Sequence, residues 1–159
     1  MWSTIFSQLL VATALILLVV ATATRDWQIL GMEKPKVHTN IGLWQTCSKL
    51  GDKPTVCPST KAGSSHKFVL YAIRSLSVIS MLVVGAGLLL PSRPISLTLI
   101  GVAVLLTGLV LFLYSSQLEN YFSQYFDSLM YSRYGFSYYL QAAATALLLI
   151  VLMVGCSKR

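Results

Sequence analysis

Marked only by apolar and polar positions, the chain alternates between long apolar runs and polar interruptions. Residues 5–24 hold no charged residue and are rich in Leu, Val, Ile and Ala. A helix needs about 20 such residues to cross the hydrocarbon core of a bilayer, so this run predicts a first transmembrane helix. Residues 68–90, 95–116 and 135–155 predict three more. Pro91-Ser92-Arg93-Pro94 links the second and third, and so short a link makes them antiparallel neighbours. Beyond residue 116 the pattern turns amphipathic. Leu118, Tyr121, Phe122, Tyr125, Phe126, Leu129 and Met130 recur at helical spacing, with Asn120, Ser123, Gln124, Asp127 and Ser128 opposite. No Gly or Pro interrupts residues 109–134, so the third helix is expected to run on past the bilayer to about residue 130.

Residues 25–67 are the one long polar segment. Pro35, Pro54, Pro58, Gly31, Gly51 and Gly63 divide it into short runs. Asp26–Leu30, Val37–Cys47 and Thr55–Cys57 are its candidate strands. One rival to the first span is a cleaved leader, because Ala21-Thr22-Ala23 matches the small-x-small cleavage pattern. Against it, no Lys or Arg precedes the apolar run, and the run is long enough to span.

Composition agrees with a membrane protein. Of 159 residues, 55% are hydrophobic and only 11% charged, against roughly 25% charged in soluble domains. Four spans and one loop use nearly the whole length, so residues 1–159 read as a single four-span unit. The net charge of +7 raises nucleic acid as a partner. The charges sit mainly in one loop between spans and no nucleic-acid motif is present, so nucleic acid is discounted.

Charge and cysteine disagree on orientation. The loop carries seven of the twelve Lys and Arg, which by the positive-inside rule places it in the cytoplasm. The loop also carries two of the three cysteines, and cysteine pairs persist in oxidising compartments. A folded, bridged loop can be translocated with its charge. The loop is therefore expected outside and both termini in the cytoplasm, with the plasma membrane as the location.

The chemistry of the loop is concentrated in Gly42-Leu43-Trp44-Gln45-Thr46-Cys47, with Trp27 before it and Cys57 after it. The two tryptophans supply apolar contact to a small sheet or anchor it at the lipid interface. Gly42 permits a tight bend or a close backbone approach. The plainer alternative is an ordinary loop with a chance cysteine pair and belt tryptophans.

Trp27, Gly42-Leu43-Trp44, Cys47 and Cys57 resemble the first extracellular loop signature of the claudin superfamily. That superfamily includes claudins, peripheral myelin and epithelial membrane proteins, lens fibre membrane protein and calcium-channel gamma subunits. Phe68–Ser80 with Arg74 is similar to the start of its second span. Tyr134-Gly135-Phe136-Ser137-Tyr138-Tyr139-Leu140 resembles the opening of its fourth, most of all in the myelin, lens and gamma-subunit branches. The resemblance implies a left-handed bundle of four transmembrane helices carrying a small extracellular antiparallel β-sheet, to which the second loop contributes. It also implies a Cys47–Cys57 disulfide. The chain departs from the pattern in three places. It ends in Cys-Ser-Lys-Arg rather than the hydrophobic residue by which claudins bind PDZ scaffolds. It has no Asn-x-Ser/Thr sequon. Gln141-Ala142 stands where Gly-Trp is common.

Several residues carry two readings. Arg74 is expected to bond loop carbonyls at the base of the sheet, with Glu119 and Asp127 as conceivable partners; the alternative is an arginine snorkelling to the interface. Lys34, Lys36, Lys49 and Lys53 form either a solvated face or a partner surface. Tyr121, Phe122, Tyr125 and Phe126 belong either to an aromatic belt or to a contact with a neighbouring membrane protein. Cys156 is a palmitoylation candidate or an unmodified thiol. His38 and His66 lack metal-ligand spacing. With no nucleophile–base pair and no phosphate loop, neither an enzyme nor a cofactor is expected. Expected partners are lipid and other membrane proteins, including a second copy in cis or in trans. The functional reading is cell–cell adhesion or membrane organisation; the alternative is an auxiliary subunit of a channel, receptor or trafficking complex.

Overall fold

The computed structural model describes residues 2–32, 37–51, 54–59, 67–90, 93–125 and 130–157. Its helices are α1 (Trp2–Ala23), α2 (Lys67–Leu89), α3 (Arg93–Tyr125) and α4 (Phe136–Cys156). Each contains a stretch long and apolar enough to cross a membrane: Ile5–Ala23, Phe68–Leu89, Pro94–Ser116 and Phe136–Cys156. Their outer faces show the solvent for which they are built. Ile16, Leu82, Leu105 and Phe112 stand exposed on the bundle surface, an arrangement that suits hydrocarbon and is costly in water.

The interior mixes alanines with branched aliphatic side chains. Val11, Ala14 and Leu18 of α1 meet Val84 of α2, Ile100 and Ala103 of α3, and Ala144, Leu148 and Val151 of α4 in one buried cluster. Small residues let the backbones approach, and close packing drives helix association in lipid. α1 packs chiefly on α4, and α2 on α3. Where α2 meets α3, the Ser96 hydroxyl donates to the Gly87 carbonyl at 2.7 Å.

Four strands form an antiparallel sheet in the order β3-β2-β1-β4: β1 (Gln28–Met32), β2 (Val37–Ile41), β3 (Thr46–Leu50) and β4 (Met130–Tyr134). Gln28 of β1 pairs with both Ile41 of β2 and Tyr134 of β4. Ile41 pairs with Thr46 across the β2–β3 hairpin. The sheet sits at the end of the bundle where α1 finishes and α4 begins.

Three elements differ from the sequence expectation. The run Val37–Cys47 is two strands, because Gly42–Gln45 closes a turn in which the Gly42 N–H donates to the Gln45 carbonyl at 2.9 Å. Among the described residues Thr55–Cys57 contributes one isolated bridge, Val56 with Ser48, and Ser59 beyond it bridges Gln45, both alongside the β2–β3 hairpin. The third helix does not reach residue 130. It is described to Tyr125, and Met130–Tyr134 is a strand. Five residues carry too little periodicity to separate the two states, and the open edge of β1 decides for the strand.

Candidate functional site

The sheet is joined to the bundle by the short segment Arg25–Trp27, and three sets of contacts converge there. The Trp27 N–H donates to the Ile41 carbonyl at 3.0 Å, and the Trp27 carbonyl accepts from the Gly135 N–H at 2.9 Å. The Asp26 carbonyl accepts from the Ser137 N–H at 2.9 Å, so it satisfies a donor that the start of α4 would otherwise leave open. The Asp26 carboxylate accepts from Asn40 Nδ2 at 2.7 Å. Thr24 and Ser137 share a hydroxyl–hydroxyl bond of 2.6 Å.

The Trp27 side chain points down into the bundle and is completely buried. Its indole N–H donates to the Ala21 carbonyl at 2.7 Å, as a buried indole requires. Its ring lies 4.9 Å from Tyr114 and 6.5 Å, edge-on, from Tyr138. Tyr138 in turn stacks on Tyr134 at 4.2 Å. With Leu43, Ile73 and Val110 these residues make a second buried cluster between sheet and helices.

Gly42–Gln45 is the tip of the β2–β3 hairpin, and it points at the helices. Leu43 is fully buried. The Trp44 indole N–H donates to the Thr22 carbonyl at 2.9 Å, while much of its ring remains exposed. Arg74 of α2 closes this seat. Its Nε donates to the Leu43 carbonyl at 2.7 Å, and its guanidinium lies 5.1 Å from the Trp44 ring and 5.7 Å from the Tyr71 ring. The side chain of Glu119, and Asp127 altogether, lie outside the description. A flexible ammonium cannot reproduce a guanidinium held between a carbonyl and two rings. Arg74→Lys is expected to cost up to about 1.5–3 kcal/mol, the range of a hydrogen bond from a charged donor, measured as a lower midpoint of thermal unfolding in detergent.

Cys47 and Cys57 are joined as a disulfide. Arg25, which sequence reasoning passed over, lies against it: its Nη1 donates to Cys47 Sγ at 3.3 Å and to Cys57 Sγ at 3.2 Å. The bond ties residues 55–59 to β3. Breaking it by Cys47→Ser is expected to destabilise the sheet by about 2–3 kcal/mol. Adding Cys57→Ser to that variant should cost little more, because the same bond is already lost. Non-reducing peptide mapping combined with thermal unfolding checks both statements.

Of the expected partner positions, Lys49 alone is described with its side chain. Lys49 is exposed on β3, beside exposed Ser48 and Leu50. Lys34, Lys36, Lys53, Phe126 and His66 lie outside the described residues, and of Tyr121, Phe122 and Tyr125 only the helical backbone is described. Cys156 is an exposed free thiol at the end of α4. Among the described residues no group of three or more His, Cys, Asp and Glu is placed to hold a metal ion. The site is thus a mechanical seat: Trp27 and the hairpin tip are plugged into the helix ends, and the far edge of the sheet, β3, is flanked by residues 54–59.

Comparison with curated proteins finds no match. The family model described as the PMP-22/EMP/MP20/Claudin family matches residues 1–155, and the chain belongs to that family.

Proposed function

We propose that this sheet mediates cell–cell adhesion or membrane organisation through protein–protein contacts. The family and the four apolar helices make the chain an integral tetraspan membrane protein. In the proposed reading it is non-enzymatic, resides in the plasma membrane, holds its sheet outside the cell and keeps both termini in the cytoplasm. Its partners are other membrane proteins, a second copy of itself included.

One observation supports this reading most. Trp27, Leu43 and Arg74 are occupied in seating the sheet and Cys47 in the disulfide, whereas Leu50 and Val56 stand exposed on the β3 side. Exposed apolar residues on a sheet locked to its anchor suit contact with another protein. The test is expression in cells that form no junctions. Enrichment at contacts between two expressing cells, lost in Leu50→Glu/Val56→Glu, supports adhesion. Even surface staining with unchanged cell aggregation overturns it.

A second reading rests on a different observation. Phe68 and Tyr71 of α2 and Phe136 and Tyr139 of α4 are exposed near the sheet end of the bundle. These rings fit the interfacial belt of a membrane protein or the side of a neighbouring channel or receptor. An auxiliary-subunit role predicts a co-purifying membrane protein that Phe68→Ala/Phe136→Ala releases while surface expression persists.

A further inference from the structure

The interior of the bundle is not apolar throughout. Gln141 of α4 is fully buried. Among the described residues, three buried side-chain atoms have no hydrogen-bond partner within the protein: Gln141 Oε1, Gln141 Nε2 and the Tyr114 hydroxyl. In a membrane there is no exterior water to satisfy such groups from outside.

Gln141 occupies one level of the molecule. The inner cluster contains Leu18, Val84, Ala103 and Ala144. The cluster beneath the sheet contains Ile73 and Val110, with Tyr138 packed against it. Between the two, each helix carries a buried polar residue: Thr22 on α1, Ser77 and Ser80 on α2, Thr107 on α3 and Gln141 on α4. The hydroxyls donate to their own helices, Thr22 to Leu18 at 2.8 Å, Ser77 to Ile73 at 2.8 Å, Ser80 to Ser77 at 2.8 Å and Thr107 to Ala103 at 2.9 Å. Each therefore keeps acceptor capacity but has no proton left to offer. Gln141 Nε2 has two donors and Oε1 needs one. The Tyr114 ring lies 6.1 Å from that of Tyr138, which precedes Gln141 by three residues on α4.

We propose that this level is a hydrated layer, in which Gln141 binds internal water that the surrounding serine and threonine hydroxyl oxygens help to hold. Water fits because it donates as well as accepts. It supplies the proton that Oε1 requires, which the committed serine and threonine hydroxyls do not. A buried water typically makes two to four hydrogen bonds to polar groups. The complete burial of Gln141 excludes a lipid headgroup reaching it from the side. The layer would fasten α4 to its neighbours directly below the seat of the sheet.

The test uses the full chain in lipid nanodiscs, labelled with amide-nitrogen glutamine and followed by water–protein cross-relaxation in NMR. Two other glutamines serve as references. Gln45 is exposed, and Gln28 is buried but donates to Ser132 at 3.0 Å. The expected result is a cross-peak from water to the Gln141 side-chain amide with the sign of a long-lived bound water, absent at Gln28 and lost in Gln141→Leu. The cross-peak should survive in Tyr114→Phe, which removes relay through the phenol proton. A silent Gln141 amide beside a responding Gln45 overturns the proposal, as does a cross-peak that vanishes in Tyr114→Phe.

Discussion

Trp27→Ala is expected to cost about 3–5 kcal/mol, the range for truncating a buried Trp, and to loosen the sheet from the bundle. The ring is fully buried between Tyr114, Tyr138, Leu43 and Ile73. Its removal leaves a void that two independent elements, the hairpin tip and the start of α4, cannot both move to fill. The Ala21 carbonyl also loses the indole N–H that bonds it at 2.7 Å. Trp27→Phe separates the two contributions, since it keeps most of the ring volume and drops the donor. It should cost less than half as much. The measurement is thermal unfolding in detergent, paired with the rate at which Cys47 and Cys57 become reducible. If the ring is the keystone, that rate rises in Trp27→Ala. A Trp44→Ala variant, whose ring is partly exposed, should move both readouts less. Equal effects of the two substitutions would overturn the keystone role of Trp27.

The helices were legible because a span must be apolar for about 20 residues, and nothing else in a chain of this size looks alike. Which side of each helix faces inward was less legible. Lipid accepts Ile16, Leu105 and Phe112 as readily as the core accepts Leu148, so periodicity weakens. Ala14, Ala103 and Ala144 lie on the inner face, but Ala143 and Ala146 of α4 are exposed, so small size does not mark that face either. Within the loop, the residue types of the site were visible and their geometry was not. Gly42-Leu43-Trp44 looked like strand, yet it is a turn that dips to the helices, because Leu43 is better buried there than anywhere on a small sheet. β4 was hidden because the helical spacing of apolar residues from Leu118 runs on into Met130, its first residue. Arg25 gave no signal, since its role depends on two cysteines distant in sequence. Gln141 was noted only as a departure from a familiar pattern. A polar side chain inside an apolar span is itself a reason to look for function or water.

Gly135→Ala is expected to be as damaging as the loss of Trp27, though it adds only a methyl group. A Cβ at Gly135 would overlap the Asp26 carbonyl oxygen and lie 3.2 Å from the Trp27 carbonyl carbon. Those are backbone atoms, so no rotamer change relieves the clash. Nor can Arg25–Trp27 retreat to the other side: a Cβ at Gly42 would stand only 2.6 Å from Arg25 Cα, so the segment is held between two glycines. Shifting it breaks the Gly135-to-Trp27 and Ser137-to-Asp26 bonds together. A cost of about 3 kcal/mol or more follows, since two buried backbone donors are each left open at about 1–3 kcal/mol. The argument concerns space and not backbone preference, because Gly135 has φ −90° and ψ 176°, a conformation any residue adopts. Gly85→Ala is the matching control. It lies within α2, where an added Cβ meets nothing within 4 Å, and alanine is the better helix former by about 1 kcal/mol. Thermal unfolding should therefore show Gly135→Ala and Gly42→Ala well below the parent and Gly85→Ala at or above it. A Gly135→Ala protein that melts with the parent would show that the linker, and with it the sheet, is free to shift on the bundle. The rigid seat on which the adhesive reading rests would then be gone.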